Sequence, residues 1–507
     1  MEKKYVADYI GESYKEWSNE IVLIAAGTGR GKTTFIADTL LTYAVEKDKR
    51  LLYLCNRSEL QKQVNERIPI EYKSYIEVTT YQALEQKLQH SGSFEHFDYI
   101  IGDEAHYIFD DSFNQQTDIS GKYLVNSAAK NSVVVLMSAT GSLLFPTLIR
   151  NGYVNRDHYY IVAGNYDFVD NVFLYQKKYA ENIIDKILNE TDDKILYFCN
   201  DLRRLGQMYK IYGDQAYYRC SNTSARSSTI PDSVLRKSKK CIRPADDGNI
   251  TFDKRILFTT TVLDNGVDLK DPALKHIFSE VFDFNALIQS LGRKRTTSES
   301  DHCNYYVMDH TPTEIEAKKR RIDKQLNMIN YYNSDYGKFH SLMEKDRSFI
   351  KNYPAFYLGK RFQHNGIEIE IHLNAMYSYK LNATAALWTE MLKNGYYACL
   401  KKVVADTMQK KVELYHVYRD LKQEFLTLLG SLVGQRLFAD SKEYQELRQL
   451  FSELKVNRTN SASLNKINQF LQEQHISYLL ESQKCRDRGP YRDKTYWIIR
   501  ATENLDI

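Results

Sequence analysis

The amino-acid sequence predicts an α/β protein: two tandem units built on parallel sheets, followed by a mainly helical C-terminal region. Three observations carry the prediction. The stretch Ile21 to Thr34 reads IVLIAAGTGRGKTT, six apolar residues running into a glycine-rich turn and then into helical composition from Thr33 to Ala44. Short apolar runs recur after it, separated by polar helical segments such as Glu59 to Arg67. The same alternation starts again after residue 165, without a second glycine-rich turn. Alternation of this kind gives a doubly wound sheet whose ligands gather at the carboxyl ends of the strands.

At 507 residues the chain is too long for one core. The first unit is expected over residues 1–165, with further strands at Leu51 to Cys55, Ile76 to Thr79, Tyr99 to Asp103 and Val133 to Ser138. Ala163-Gly164-Asn165 reads as a turn and linker. The second unit is expected over residues 166–310, a polar helix from Tyr179 to Asn189 leading to strands at Ile195 to Cys199, Ala216 to Tyr218, Ile256 to Thr259 and Tyr305 to Met308. Within it, Arg219 to Asp253 is a long polar connection whose Arg236-Lys237-Ser238-Lys239-Lys240 run reads as a solvated loop.

The glycine-rich turn has the chemistry of a phosphate cradle. Gly27, Gly29 and Gly31 let successive N–H groups face an anion, and the helix starting near Lys32 aims its positive end at the same point. The run Ala26, Gly27, Thr28, Gly29, Arg30, Gly31, Lys32, Thr33, Thr34 matches the Walker A pattern, with Ala26 in place of the first glycine. Lys32 then reaches the β and γ phosphates of ATP while the Thr33 hydroxyl ligates Mg²⁺. Asp103-Glu104-Ala105-His106 follows the apolar strand Phe97 to Ile101. A Mg²⁺-bound triphosphate needs one carboxylate near the metal and another to orient water; Asp103 suits the metal and Glu104 the water. Alone, the tetrapeptide also reads as a solvated acidic turn, but it stands at the end of a second core strand, 71 residues after Lys32.

With these motifs in place, the sequence resembles a superfamily 2 helicase or translocase with a DEAH-type second motif. The resemblance implies two RecA-like lobes, and further clusters follow that family's order. Asn56-Arg57-Ser58-Glu59-Leu60 resembles motif Ia, Thr79-Thr80-Tyr81-Gln82 the threonine-rich motif, and Ser138-Ala139-Thr140 the third motif. Asn200-Asp201 sits as motif IV residues do, and Thr259 to Asp268 resembles motif V. Gln289-Ser290-Leu291-Gly292-Arg293-Lys294-Arg295 resembles motif VI, the arginine-finger element. By this similarity Arg57, Thr79, Thr80, Asn200 and Thr260 touch the sugar-phosphate backbone, for which cations and hydroxyls are suited. Gly266 and Asp268 couple that contact to ATP; His106, Ser138 and Thr140 link the two sites. Gln289 and Arg293 complete the ATP site from the far lobe. The commoner spacing, Gln-x-x-Gly-Arg-x-x-Arg, puts its second arginine at Thr296, so Arg295 stands one residue early and serves as the finger only if the helix starts differently.

The implied activity is an ATP-dependent nucleic-acid helicase, with Mg²⁺ as cofactor and DNA favoured over RNA as partner. A duplex-DNA translocase of a defence or restriction assembly and a nucleotide-gated scaffold are the alternatives. Residues 1 to 25 contain no glutamine, so the family's adenine-reading element is not apparent.

Motif resemblance ends at Arg295. The rest, residues 311–507, reads as an accessory region with a basic run at Lys318 to Arg321, a strand at Ile367 to Leu373 and an amphipathic helix through Leu414, Val417, Tyr418, Leu421, Phe425 and Leu428. A helix from Lys442 to Leu454 is capped by Asp440 or Ser441. Over 464–500 a helix, a cationic turn and the strand Tyr496 to Arg500 suit a winged-helix-like wing or a wedge against a duplex end. They suit equally a surface hairpin with Trp497 in its local core. The net charge of +4 is a weak global signal, so polyanion contacts must come from local patches. No apolar run approaches the ~20 residues of a membrane span, and the charged N-terminus lacks the apolar segment of a secretory signal. A cytoplasmic protein is expected, with its seven cysteines reduced and buried.

Overall fold

The computed structural model describes residues 5–27, 29–91, 94–110, 116–220, 230–239, 243–244, 250–261, 268–363, 366–408, 413–417, 421–454, 462–474 and 476–502. They form two compact units, Met1–His416 and Val417–Ile507. No helix among the described residues is long and apolar enough to cross a membrane. The six described cysteines are free and buried.

The first unit is mixed α/β and contains two large sheets. The first sheet holds β1 (Ile21–Ala26), β2 (Leu51–Cys55), β3 (Ile76–Thr80), β4 (Tyr99–Gly102), β5 (Val133–Ser138) and β6 (Tyr159–Val162). Its order is β3-β2-β4-β5-β1-β6 and every pairing is parallel. Helices cover both faces, so the strands are apolar at consecutive positions: Val22 and Ile24 enter one core, Ile21 and Leu23 the other. Ala25 pairs with Ser138 and Gly102 with Leu136, which brings the ends of β1, β4 and β5 side by side.

The second sheet contains β7 (Val169–Tyr175), β8 (Lys194–Phe198), β9 (Ala216–Arg219), β12 (Ile256–Thr259), β13 (Leu274–Ser279), β14 (Cys303–Met308) and β17 (Leu414–Val417), in the order β17-β7-β14-β13-β8-β12-β9. Arg243–Pro244 and Ile250–Thr251, β10 and β11, form a separate short ladder. Two sequence expectations are corrected here. Leu414–Val417 is a strand at the edge of the sheet rather than the start of a helix; Leu414 enters the core, Tyr415 packs on Phe173, and the helix begins only at Leu421. Three- and four-residue spacing in so short an apolar run does not separate the two states. Arg236 to Lys239 belongs to the helix Asp232–Lys239, not to a loop, and its buried Ser238 accepts a hydrogen bond from the Tyr218 amide.

After β14 the helix Pro312–Ser334 opens with a capping box between Thr311 and Glu314 and with proline at its first position. It carries Lys318 to Arg321. The hairpin β15 (Phe356–Gln363) and β16 (Gly366–Leu373) follows, then the helices Ala375–Asn394 and Tyr396–Met408. Ala375–Asn394 touches both cores: Met376 packs with the first sheet and Met391 with the second. Its N-terminus is held by buried Asp118, which accepts from the Ala375 amide at 2.9 Å and from the Tyr357 hydroxyl at 2.9 Å.

The second unit comprises the helix Leu421–Ser431, β18 (Arg436–Phe438), the helices Lys442–Glu453 and Leu464–Glu473, β19 (Tyr478–Lys484) and β20 (Thr495–Ala501). Ser441 caps the Lys442–Glu453 helix. The three strands are antiparallel in the order β18-β20-β19. Trp497 packs on Tyr444 with ring centroids 4.6 Å apart, inside the local core.

Candidate functional site

β1 delivers the chain into a turn that the rest of the sheet shapes. Gly27 donates to the Val162 carbonyl at 3.0 Å, and a Cβ at Gly27 would collide with the Gly164 backbone. The segment 163–165, which reads as a linker, is therefore the floor of the turn, and Arg30 Nε reaches the Ala163 carbonyl at 2.6 Å. Gly29 and Gly31 hold φ of 76° and 77°, the left-handed region that side chains disfavour. From Lys32 the chain runs helically to Glu46, with a π segment over Phe35–Leu40. The first amides of that helix point into the turn, as an anion site requires. Lys32 Nζ lies on the Ala26 carbonyl at 2.7 Å. Thr28 lies outside the described residues.

At the neighbouring strand end, Asp103 is buried and Glu104 is half-buried with φ of 47°, a strained value for a residue with a side chain. Asp103 Oδ1 accepts from the Glu104 amide at 2.9 Å, and Oδ2 from the Tyr53 hydroxyl at 2.8 Å. Burial raises the pKa of the same Tyr53 hydroxyl, and Thr33 acts on it to lower it. Thr34 is engaged elsewhere, accepting from Arg67 at 3.0 Å. Burial, and then the Glu104 charge, pushes the Asp103 carboxyl up, against the pull of Lys32. Burial also acts to raise Glu104, but His106, Lys32 and Arg293 outweigh it and hold that carboxyl low. Glu104 Oε2 is a buried atom without a hydrogen-bond partner, 3.2 Å from His106 Nδ1.

A relay of side chains leads from the acidic pair to the second sheet. His106 Nδ1 lies 2.9 Å from Ser138 Oγ, which also accepts from the Thr140 amide at 2.9 Å. Gln289 Nε2 donates to Thr140 Oγ1 at 2.9 Å and stands 3.5 Å from His106 Nε2. Four residues earlier on the same helix, Phe284–Leu291, Asn285 Oδ1 accepts from Ser142 Oγ at 2.6 Å. The helix stops at Gly292. Beyond it Lys294 forms a bridge with Leu269, whose amide donates to the Arg293 carbonyl at 2.8 Å and whose carbonyl accepts from the Arg295 amide at 2.9 Å. Extended residues alternate faces: Lys294 turns inward to buried Asp301 at 2.7 Å, whereas Arg293 and Arg295 turn together toward Asp268, at 4.0 and 3.1 Å. The Arg295 guanidinium is the nearest group that a Cβ on Gly29 would meet, at 3.9 Å. Gly266 lies outside the described residues.

The residues expected at nucleic acid are distributed over both sheets. Arg57 is exposed at the start of the Ser58–Arg67 helix, and Thr80 caps the Tyr81–Ser91 helix by accepting from the Ala83 amide at 3.1 Å. Thr79 and Thr260 are buried. Asn200 is exposed and accepts from the Thr261 amide and hydroxyl at 3.1 and 3.2 Å, joining the ends of β8 and β12. Tyr53, Gly164, Ser142 and Asn285 belong to the same assembly, and the motif patterns do not include them. A tyrosine inside LLYLC and the single glycine of Ala163-Gly164-Asn165 are the signals that could have found the first two.

The residues present suit a magnesium nucleotide. Two carboxylates, Asp103 and Glu104, the lysine Lys32, the Thr33 hydroxyl and a turn with two left-handed glycines gather at the carboxyl ends of β1 and β4. Residues 69–142 match the model of the family described as Type III restriction enzyme, res subunit. No curated protein matches the chain. The matched segment spans β3 to β5 and contains both the acidic pair and Ser138 to Thr140. The similarity to that family lies in residues 69–142, part of the first sheet.

Proposed function

We propose that this chain is an ATP-dependent nucleic-acid motor, a superfamily 2 helicase whose two parallel-sheet lobes are RecA-like and share one ATP site. The observation that carries the reading is the convergence on the phosphate turn of groups from both sheets: Lys32, Asp103 and Glu104 from the first, Gln289, Arg293 and Arg295 from the second.

Thr33 and Asp103 would hold Mg²⁺, which when bound supplies positive charge to the phosphate oxygens. Lys32 leaves the Ala26 carbonyl for the β and γ phosphates. Glu104, kept ionised by His106 and Lys32, orients water at the γ-phosphorus and takes its proton as the bond to the β–γ bridging oxygen breaks and ADP leaves. Arg293 and Arg295 neutralise charge on the transferring phosphoryl group, a contribution of about 10³ to 10⁵ in rate for such fingers. Because Gln289 binds Thr140 and approaches His106, the closed arrangement of the lobes is read directly at the residue beside Glu104. Arg57, Thr80 and Asn200, the expected contacts that are not buried, grip the backbone of the strand being moved, with DNA preferred.

Lys32→Ala or Glu104→Gln is expected to abolish nucleic-acid-stimulated ATP hydrolysis while the circular dichroism spectrum stays that of the wild type. Undiminished turnover in either variant contradicts the assignment. The matched restriction subunit favours one second reading, a duplex translocase without strand separation. Triplex displacement without unwinding of a forked duplex would select it.

A further inference from the structure

The unit Val417–Ile507 has a topology of its own. Helix, β18, helix, helix, β19 and β20 follow in that order, with β20 central in the sheet. Among the described residues this is the order of a helix pair closed by a β-hairpin. Its core is continuous: Phe425, Phe451 and Phe470 meet with ring centroids 5.5 to 6.1 Å apart. The Leu464–Glu473 helix turns Ile467, Phe470 and Leu471 into that core and exposes Asn465, Gln469 and Gln472. Asn468 clamps the backbone of Leu480 on β19, accepting from its amide at 2.9 Å and donating to its carbonyl at 2.8 Å. The amide-bearing helix face and the hairpin are thereby held in fixed relation.

The hairpin end is cationic. Lys484, Arg486, Arg488, Arg492 and Lys494 are all exposed, against two carboxylates, Asp487 and Asp493. The pairs that these carboxylates make, such as Arg486 with Asp493 at 3.2 Å, are solvent-exposed and so contribute little. On a chain with net charge +4, five cations within eleven residues are a local concentration. Tyr491 stacks on Phe438 with ring centroids 4.2 Å apart, so one face of its ring is already occupied.

We propose that this unit binds duplex DNA, with the Leu464–Glu473 helix in the major groove and the 485–494 hairpin on an adjacent phosphate backbone. Exposed asparagine and glutamine amides match base edges, and clustered arginines match phosphates. The B-form major groove, about 12 Å wide, admits a helix, whereas the deep, narrow major groove of A-form RNA does not. The inference shares the nucleic-acid target with the proposed motor but does not depend on nucleotide turnover.

The test is fluorescence anisotropy of the full chain, without nucleotide, on a short DNA duplex and on an RNA duplex of the same sequence, over a salt series. The triple variant Arg486→Ala, Arg488→Ala, Arg492→Ala is expected to bind duplex DNA at least about tenfold more weakly, with a salt slope shallower by about 2 to 3. Gln469→Ala combined with Gln472→Ala is expected to weaken the DNA duplex and leave the RNA duplex unaffected. Thermal melting confirms that both variants fold. Wild-type affinity and slope in the arginine variant overturn the proposal, as does an equal loss on both duplexes in the glutamine variant. Because no nucleotide is present, either result leaves the motor reading to be judged by its own ATPase test.

Discussion

Arg293 and Arg295 stand two residues apart, a spacing that would separate them by about 200° on a helix. They face the same way because the helix ends at Leu291 and 293–295 form a bridge with Leu269, where alternate residues share a face. A two-residue spacing in an extended segment thus does the work that a three-residue spacing does in a helix. In the sequence this reads as a departure from the motif, because spacing is interpretable only once the local backbone is known. It follows that Arg295 is as much a part of the site as Arg293. Arg295→Ala is expected to lower nucleic-acid-stimulated kcat by about 10² or more, within the range for finger arginines. Single-turnover hydrolysis measures this directly, and a wild-type rate would remove Arg295 from the site.

Among the elements, β1, β2, β5 and β12 are legible because strands covered on both faces read as unbroken apolar runs. β7 and β13 are harder to find, since VDNVFLY and LKHIFS carry polar residues within the strand. The glycine-rich turn is legible as a pattern, but its floor is not: Gly164 meets Gly27 only after the 136 intervening residues have folded. The attachment of the Ala375–Asn394 helix is of the same long-range kind. Asp118, 1 % exposed, joins Lys122, Tyr357 and the Ala375 amide, and Asn374 bonds Thr117 at 3.2 Å. Asp118→Ala leaves the half-buried Tyr357 hydroxyl and Ala375 amide without their acceptor, and an unmade hydrogen bond away from water costs about 1 to 3 kcal/mol. A loss of about 2 to 3 kcal/mol in urea unfolding is expected; a variant as stable as the wild type would show that the helix does not depend on this cap.

For the whole molecule, the decisive property is that neither sheet carries a complete site. The first supplies the phosphate turn, the acidic pair and the Ser138 to Thr140 turn; the second supplies Gln289 and two guanidinium groups. Under the proposed function, hydrolysis reports the relative position of the lobes, which is what a motor requires. The measurement that tests this most directly is ATP hydrolysis by Arg293→Ala, titrated with single-stranded DNA at fixed salt. Stimulated turnover lost while the melting temperature is kept is the predicted result. Full stimulation without Arg293 would mean that this guanidinium of the second sheet is not needed for turnover, and would contradict the account.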